Sequence, residues 1–207
     1  MSFRTTKPAT AQIELFAQPP ATQAKTHRLF FALIPDEVAQ HNIHRAALLV
    51  EQQYPELRAR WVNPERYHAT LSFLGDYPAM PDDVVEKAKS AADHLHASSF
   101  IWTLDYAASF RGREPPCILR STVVPDSLLA LWDDLNTALT SAGVHRRIER
   151  KFTPHVTLAY GRRELPGTMP IVPITWRVER IVLIHNVVGK GRYQWLGNWR
   201  LSARVHE

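Results

Sequence analysis

The chain has 207 residues, a formal net charge of +5, ten histidines and one cysteine, Cys117. A single cysteine excludes an intrachain disulfide and a Cys-based zinc cluster, a usage that fits a reducing, cytoplasmic setting. No run approaches the roughly 18 apolar residues that cross a bilayer, and the positive balance favours anionic ligands without fixing the fold.

Residues 1–26 are rich in Thr, Ala, Gln and Pro and carry no sustained period. They are expected to form a flexible tail in which only residues 13–16 have the composition of a short strand. Gln12, Glu14, Gln18, Pro19 and Pro20 interrupt any apolar stretch, so no secretory leader is expected. Order is predicted from residue 27 to the end, as one two-lobed domain. The run Arg28-Leu-Phe-Phe-Ala-Leu-Ile34 reads as a buried strand. Helices are predicted after three Pro-Asp pairs, Pro35-Asp36, Pro81-Asp82 and Pro125-Asp126, with each Asp expected to cap the first turn. Ile43, Ala46, Ala47 and Val50 share one face of the first helix. The second is Ala-rich, with Val84, Val85, Ala88, Ala91, Ala92 and Leu95. In the third, Leu128, Leu131, Trp132, Leu135 and Leu139 form the stripe and Gly143 the stop. Strands are expected near 67–74, 100–109, 117–124, 153–160, 176–185 and 192–201.

The two halves share a pattern: a strand, a Pro-Asp-initiated helix, then a strand carrying His-x-Thr-Leu. Hairpin-like strand pairs at 100–124 and 176–201 point to largely antiparallel sheets. The fold class is therefore α+β, a bilobal arrangement of duplicated β-α-β units around a central cleft.

The chemistry is concentrated in the repeated motif. The first copy is Tyr67-His68-Ala69-Thr70-Leu71-Ser72-Phe73-Leu74-Gly75; the second is Thr153-Pro154-His155-Val156-Thr157-Leu158-Ala159-Tyr160-Gly161. About one His-x-Thr is expected by chance in such a chain, whereas two copies extended by Leu are expected in only a few chains per thousand. Strict alternation places His68, Thr70 and Ser72 on one face, with Tyr67, Ala69, Leu71 and Phe73 opposite. It places His155, Thr157 and Ala159 together, with Val156, Leu158 and Tyr160 opposite. Imidazole titrates near neutrality, so two of them can hold opposite protonation states at once, as hydrolysis of a phosphodiester requires. Neighbouring hydroxyls, Thr70 and Thr157, can donate to the non-bridging oxygens. Neither motif strand supplies a second His or a carboxylate on the site face, so no metal or other cofactor is expected.

The pair His68-Ala-Thr-Leu and His155-Val-Thr-Leu resembles the two signatures of the 2H phosphoesterases, in particular the RNA 2′,3′-cyclic phosphodiesterase branch, also called 2′-5′ RNA ligases. Trp61-Val-Asn-Pro-Glu-Arg-Tyr-His and Phe152-Thr-Pro-His extend the resemblance, as do the opening strand at Arg28 and the closing segment Gly191-Arg-Tyr-Gln-Trp-Leu-Gly-Asn-Trp-Arg-Leu. It covers about residues 27–202. It implies metal-free opening of a 2′,3′-cyclic phosphate to a 2′-phosphate, with His68 the acid toward the 3′ oxygen and His155 the base on water, the roles exchanging in ligation. Relatives often carry a basic residue five positions after the second His. Tyr160 stands there in this chain, so Arg162 or Arg163 is expected to supply the charge and Tyr160 to serve either core or substrate.

The expected ligand is an RNA 3′ end or a cyclic nucleotide, with no membrane partner, met by a monomer. Two other readings stay open: a 2H enzyme for a small cyclic nucleotide or a 2′-5′ oligonucleotide, and a non-catalytic RNA-binding module. Arg146, Arg147, Arg150 and Lys151, with Arg111 and Arg113, suggest either a basic rim or a solvated face. His27, His41, His44, His94, His96, His145, His185 and His206 form no repeated motif, and Trp61 and Trp195 are assigned neither to core nor to surface.

Overall fold

The computed structural model describes residues 25–144 and 151–203. The tail and strand expected within residues 1–24, and Arg146, Arg147 and Arg150, lie outside the described residues.

The elements run β1 (His27–Leu33), α1 (Glu37–Gln53), β2 (Arg60–Trp61), β3 (Ala69–Tyr77), α2 (Asp82–Asp93), β4 (Phe100–Ser109), β5 (Pro116–Arg120), α3 (Asp126–Ser141), β6 (Val156–Tyr160), β7 (Met169–Val178), β8 (Arg180–Val187) and β9 (Tyr193–Arg200). Short 3-10 turns occupy Pro55–Leu57 and Pro64–Arg66. One sheet has the order β3-β1-β8-β9 and the other β2-β6-β5-β4-β7, with all described neighbours antiparallel. The α+β architecture is thus as the pattern predicts. Without β2, the second order is the first with β6 in place of β3, β5 of β1, β4 of β8 and β7 of β9. The units β1-α1-β3 and β5-α3-β6 are equivalent, and each delivers one His-x-Thr-Leu segment to the same position in its sheet.

A shared apolar core lies beneath both sheets and the helices. It takes Leu29, Phe31 and Leu33 from β1, Trp102 and Leu104 from β4, and Trp176 from β7. Each such large side chain contributes roughly 2 kcal/mol by leaving water. The helices lie across the two units: α1 against β6 and β7, α2 against α3 and β9, and α3 against β3 and β4. The α3 stripe Leu128, Leu131, Leu135 and Leu139 is fully buried, and among these leucines sits Asn136, whose Oδ1 accepts from the Ser72 hydroxyl at 2.8 Å.

The helix starts need correction. Asp36 caps α1, accepting from the Ala39 N–H at 2.8 Å. In α2 and α3 the caps are Pro81 and Pro125; Asp82 and Asp126 are the first helical residues and make no side-chain cap bond. Their carboxylates act there through the helix dipole. The strand expected at 176–185 is two strands that meet at Glu179. The sequence reading misses residues 169–175 of β7, where Pro170 and Pro173 argue against a strand. As the edge strand beside β4 it tolerates both. The strand expected at 117–124 ends at Arg120.

Candidate active site

Neither histidine lies within a strand: His68 precedes β3 by one residue and His155 precedes β6 by one. Each ring is held by the chain itself. His68 Nδ1 is 2.7 Å from the Arg66 carbonyl and His155 Nδ1 is 2.8 Å from the Thr153 carbonyl. A carbonyl oxygen only accepts, so in both rings Nδ1 carries the proton and Nε2 is left free. The 3-10 turn at Pro64–Arg66 sets the first carbonyl; Asn63 Oδ1 caps it from the Glu65 N–H, and Gln40 Nε2 of α1 donates to the Pro64 carbonyl. Aromatic rings wall both imidazoles. Phe30 lies 5.1 Å from His68, Tyr193 meets it edge-on at 5.5 Å, and Phe110 meets His155 edge-on at 4.9 Å.

The two strands then put both histidines, both threonines and Tyr160 around one cavity of about 230 Å³, with Arg28, Phe30, Arg66, Phe73, Asn186 and Tyr193 completing the wall. Register slips in both motif strands revise the expected facing. In β3 the register against β1 slips at Leu71 and again at Leu74. Ser72 therefore turns into the core, 2% exposed, and Phe73 turns to the cleft, 44% exposed. In β6 the register against β5 skips Leu158, so Ala159 stays in the core and Tyr160 comes round to the cavity. Strict alternation places Ser72, Phe73, Ala159 and Tyr160 on the wrong faces because an extra residue shifts every later side chain by one. Arg162 is exposed and does not line the cavity; its N–H donates to the Leu57 carbonyl at 2.8 Å.

The cations come instead from Arg28 and Arg66. Arg28 is clamped by two 2.8 Å bonds to Asp76, and its guanidinium holds that carboxyl below the usual range. Arg66 stacks on Tyr193 at 4.6 Å and donates to its hydroxyl at 3.2 Å. Among the described residues no carboxylate lines the cavity, so its charge balance favours an anion. Burial pushes His68 down to about 4, with the positive groups of His155 and Arg66 adding to the effect. Burial also lowers His155, helped by Arg120. Both rings are therefore neutral at neutral pH until an anion enters; its charge then favours their protonated forms. Two buried polar atoms in this wall, Asn186 Oδ1 and Arg66 Nε, have no hydrogen-bond partner among the described residues. Unsatisfied groups in a cavity wall are groups a ligand can satisfy. Among the described residues no cluster of three or more His, Cys, Asp or Glu is placed to hold a metal.

Six wall residues escape the sequence reading. Arg66 stands two before His68, and the interior of an apolar strand conceals Arg28 and Phe30. A bulge conceals Phe73. Asn186 and Tyr193 meet only through β8–β9 pairing, which leaves no local signal.

Residues 34–119 match the family model for LigT-like phosphoesterases. The chain is 33% identical over 115 residues to an RNA 2′,3′-cyclic phosphodiesterase of Geobacillus stearothermophilus, a match covering 55% of this chain and 35% of that protein. It is 30% identical over 106 residues to an RNA 2′,3′-cyclic phosphodiesterase of Thermotoga maritima, covering 48% of this chain and 52% of that one. The matched segments thus span about a third and about half of these relatives. Among solved structures, E. coli LigT in apo form superposes with a TM-score of 0.70 at 24% identity, over 86% of this chain and 99% of that one. E. coli LigT complexed with 3′-AMP gives 0.69 at 25% identity, over 85% and 98%. Residues 34–119 are thus similar to LigT-like phosphoesterases, and the fold over most of the chain is that of LigT.

No helix among the described residues is long and apolar enough to cross a membrane.

Proposed function

We propose that this protein hydrolyses 2′,3′-cyclic phosphate ends of RNA to 2′-phosphates without a metal, with His68 as general acid and His155 as general base. The observation that carries the reading is the paired clamp: two imidazoles in one cavity, each with Nδ1–H donated to a carbonyl two residues back and each with Nε2 free. Water attacks phosphorus and His155 Nε2 takes its proton. The bond from phosphorus to the 3′ oxygen breaks, and the His68 imidazolium, which has taken up a proton at Nε2 beside the bound phosphate, delivers that proton to the oxygen. The hydroxyls of Thr70 and Thr157 donate to the non-bridging oxygens, whose charge Arg28 and Arg66 also face. Tyr160 acts as a wall for the sugar or base. The likeness to proteins named RNA 2′,3′-cyclic phosphodiesterase supports the substrate class.

Phosphorus NMR of a 2′,3′-cyclic phosphate-ended oligoribonucleotide, incubated with the enzyme and a chelator, tests this directly. A 2′-phosphomonoester is the expected product, absent with His68→Ala or His155→Ala. Activity surviving either substitution, or lost on chelation, defeats the mechanism, and a 3′-phosphate defeats the assigned leaving oxygen.

A further inference from the structure

The cleft-facing side of the β3-β1-β8-β9 sheet does not end at the catalytic cavity. Paired residues of antiparallel strands share a face. The register therefore groups Phe30, Ile184 and Trp195 across β1, β8 and β9, with Asn186 opposite Tyr193 at one end and Arg180 opposite Arg200 at the other. The cavity occupies the Asn186–Tyr193 end. A second depression of about 380 Å³ occupies the other end, lined by Trp195, Arg177, Glu179, Arg180, Asp36 and Glu37. Between them lie Ala32, Val182 and Ile184, a buried apolar patch with Ile34 and Tyr193 packed on it.

Trp195 is the residue on which the two openings turn. It follows Tyr193 on the same face of β9, about 7 Å further along the strand. It is 47% exposed, although large aromatic rings usually lose most of their surface on folding. Tyr193 is already engaged, with Arg66 over its ring and His68 and Phe30 at its edges. The indole of Trp195 has no aromatic or cationic group stacked on it among the described residues. The second depression does not suit a bare anion, since three carboxylates face two guanidiniums there. An indole surface ringed by both acceptors and donors suits a neutral, flat group with donors and acceptors on its edge, which is the chemistry of a nucleobase.

We propose that Trp195, with Arg177, Arg180 and Glu179, forms a second nucleobase subsite, which takes the nucleotide preceding the cyclic phosphate end. The preferred substrate is then an oligoribonucleotide with at least two nucleotides, and a cyclic mononucleotide fills only the catalytic cavity. This rests on the phosphodiesterase reading above and narrows its substrate.

The test compares kcat/KM for a 2′,3′-cyclic mononucleotide with that for a trinucleotide bearing the same cyclic end, in wild type, Trp195→Ala and Trp195→Phe. Wild type is expected to favour the trinucleotide. Trp195→Ala is expected to lower that preference roughly tenfold, and Trp195→Phe to keep most of it, because base–aromatic stacking needs a ring and not an indole. Fluorescence anisotropy of a labelled 2′-phosphate-ended trinucleotide gives the same comparison as an affinity, independent of turnover. An equal preference and an equal affinity in wild type and Trp195→Ala overturn the subsite and leave the phosphodiesterase reading standing. Absence of turnover of either substrate by wild type defeats that reading, while the anisotropy still decides the subsite.

Discussion

Protonating His68 should unfold this protein more readily than protonating an ordinary histidine, and the size of the effect follows from its surroundings. The ring is walled by Phe30 and Tyr193 and faces Arg66, and its value falls from 6.5 to about 4. A folded value below the unfolded one means that the unfolded chain takes up the proton first. The contribution to stability is full above the unfolded value and is lost as pH falls toward 4, below which both states are protonated and the loss levels off. The gap between the two values corresponds to about 3 kcal/mol, of which about 2 kcal/mol is gone by pH 5. Urea titrations from pH 7.5 to 4.5 measure this as a falling midpoint at constant slope; by heat it is several degrees for a chain of this length. His155 shifts in the same direction and adds to the wild-type loss. The comparison with His68→Asn isolates the His68 share, because Asn does not titrate. The variant should lose about 2 kcal/mol less than wild type between pH 7.5 and 5. Parallel curves would refute the claim that the pocket desolvates this ring.

The division of labour between the histidines is checked with a p-nitrophenyl phosphodiester, whose leaving group needs no proton. On it His68→Ala should retain far more of the wild-type rate than His155→Ala, and the opposite order reverses the two roles. Thr70→Ala and Thr157→Ala should each lower kcat by about 10- to 1000-fold with Ser restoring most of it, read by steady-state kinetics on a cyclic nucleotide. Asn136→Ala removes the acceptor for Ser72 and a 2.7 Å bond to the Trp132 carbonyl inside the core. Chemical denaturation should show a loss of about 2–3 kcal/mol.

Much of this architecture is legible in the chain because its signals are local. The α3 stripe, the apolar β1 and the two His-x-Thr-Leu segments declare their partners through periodicity alone, and the motif histidines do meet in one cavity. What escapes is set by long-range pairing. A bulge is a relation between two strands, so nothing within Leu71-Ser72-Phe73 says that Ser72 will turn inward to Asn136, 64 positions away. Tyr160 comes to the cavity for the same reason. The cations follow the same rule: Arg162 is close in sequence but outside the wall, whereas Arg28 arrives from β1, held by Asp76. Pro170 and Pro173 disguise β7 because edge position is a property of the whole sheet.

The carbonyl clamps on the two imidazoles have a consequence for how such a site can change over time. Where a carboxylate orients a catalytic histidine, one codon change deletes the orienter, and its negative charge stands beside whatever anion is bound. Here the orienters are the main-chain oxygens of Arg66 and Thr153, neutral and present whatever side chain occupies those positions. The Nδ1–H tautomer of both rings is written into the shape of two short turns. Drift at positions 66 and 153 can retune charge and grip on the ligand while leaving the proton-transfer geometry in place, and substitutions that reshape either turn are the ones that should silence it.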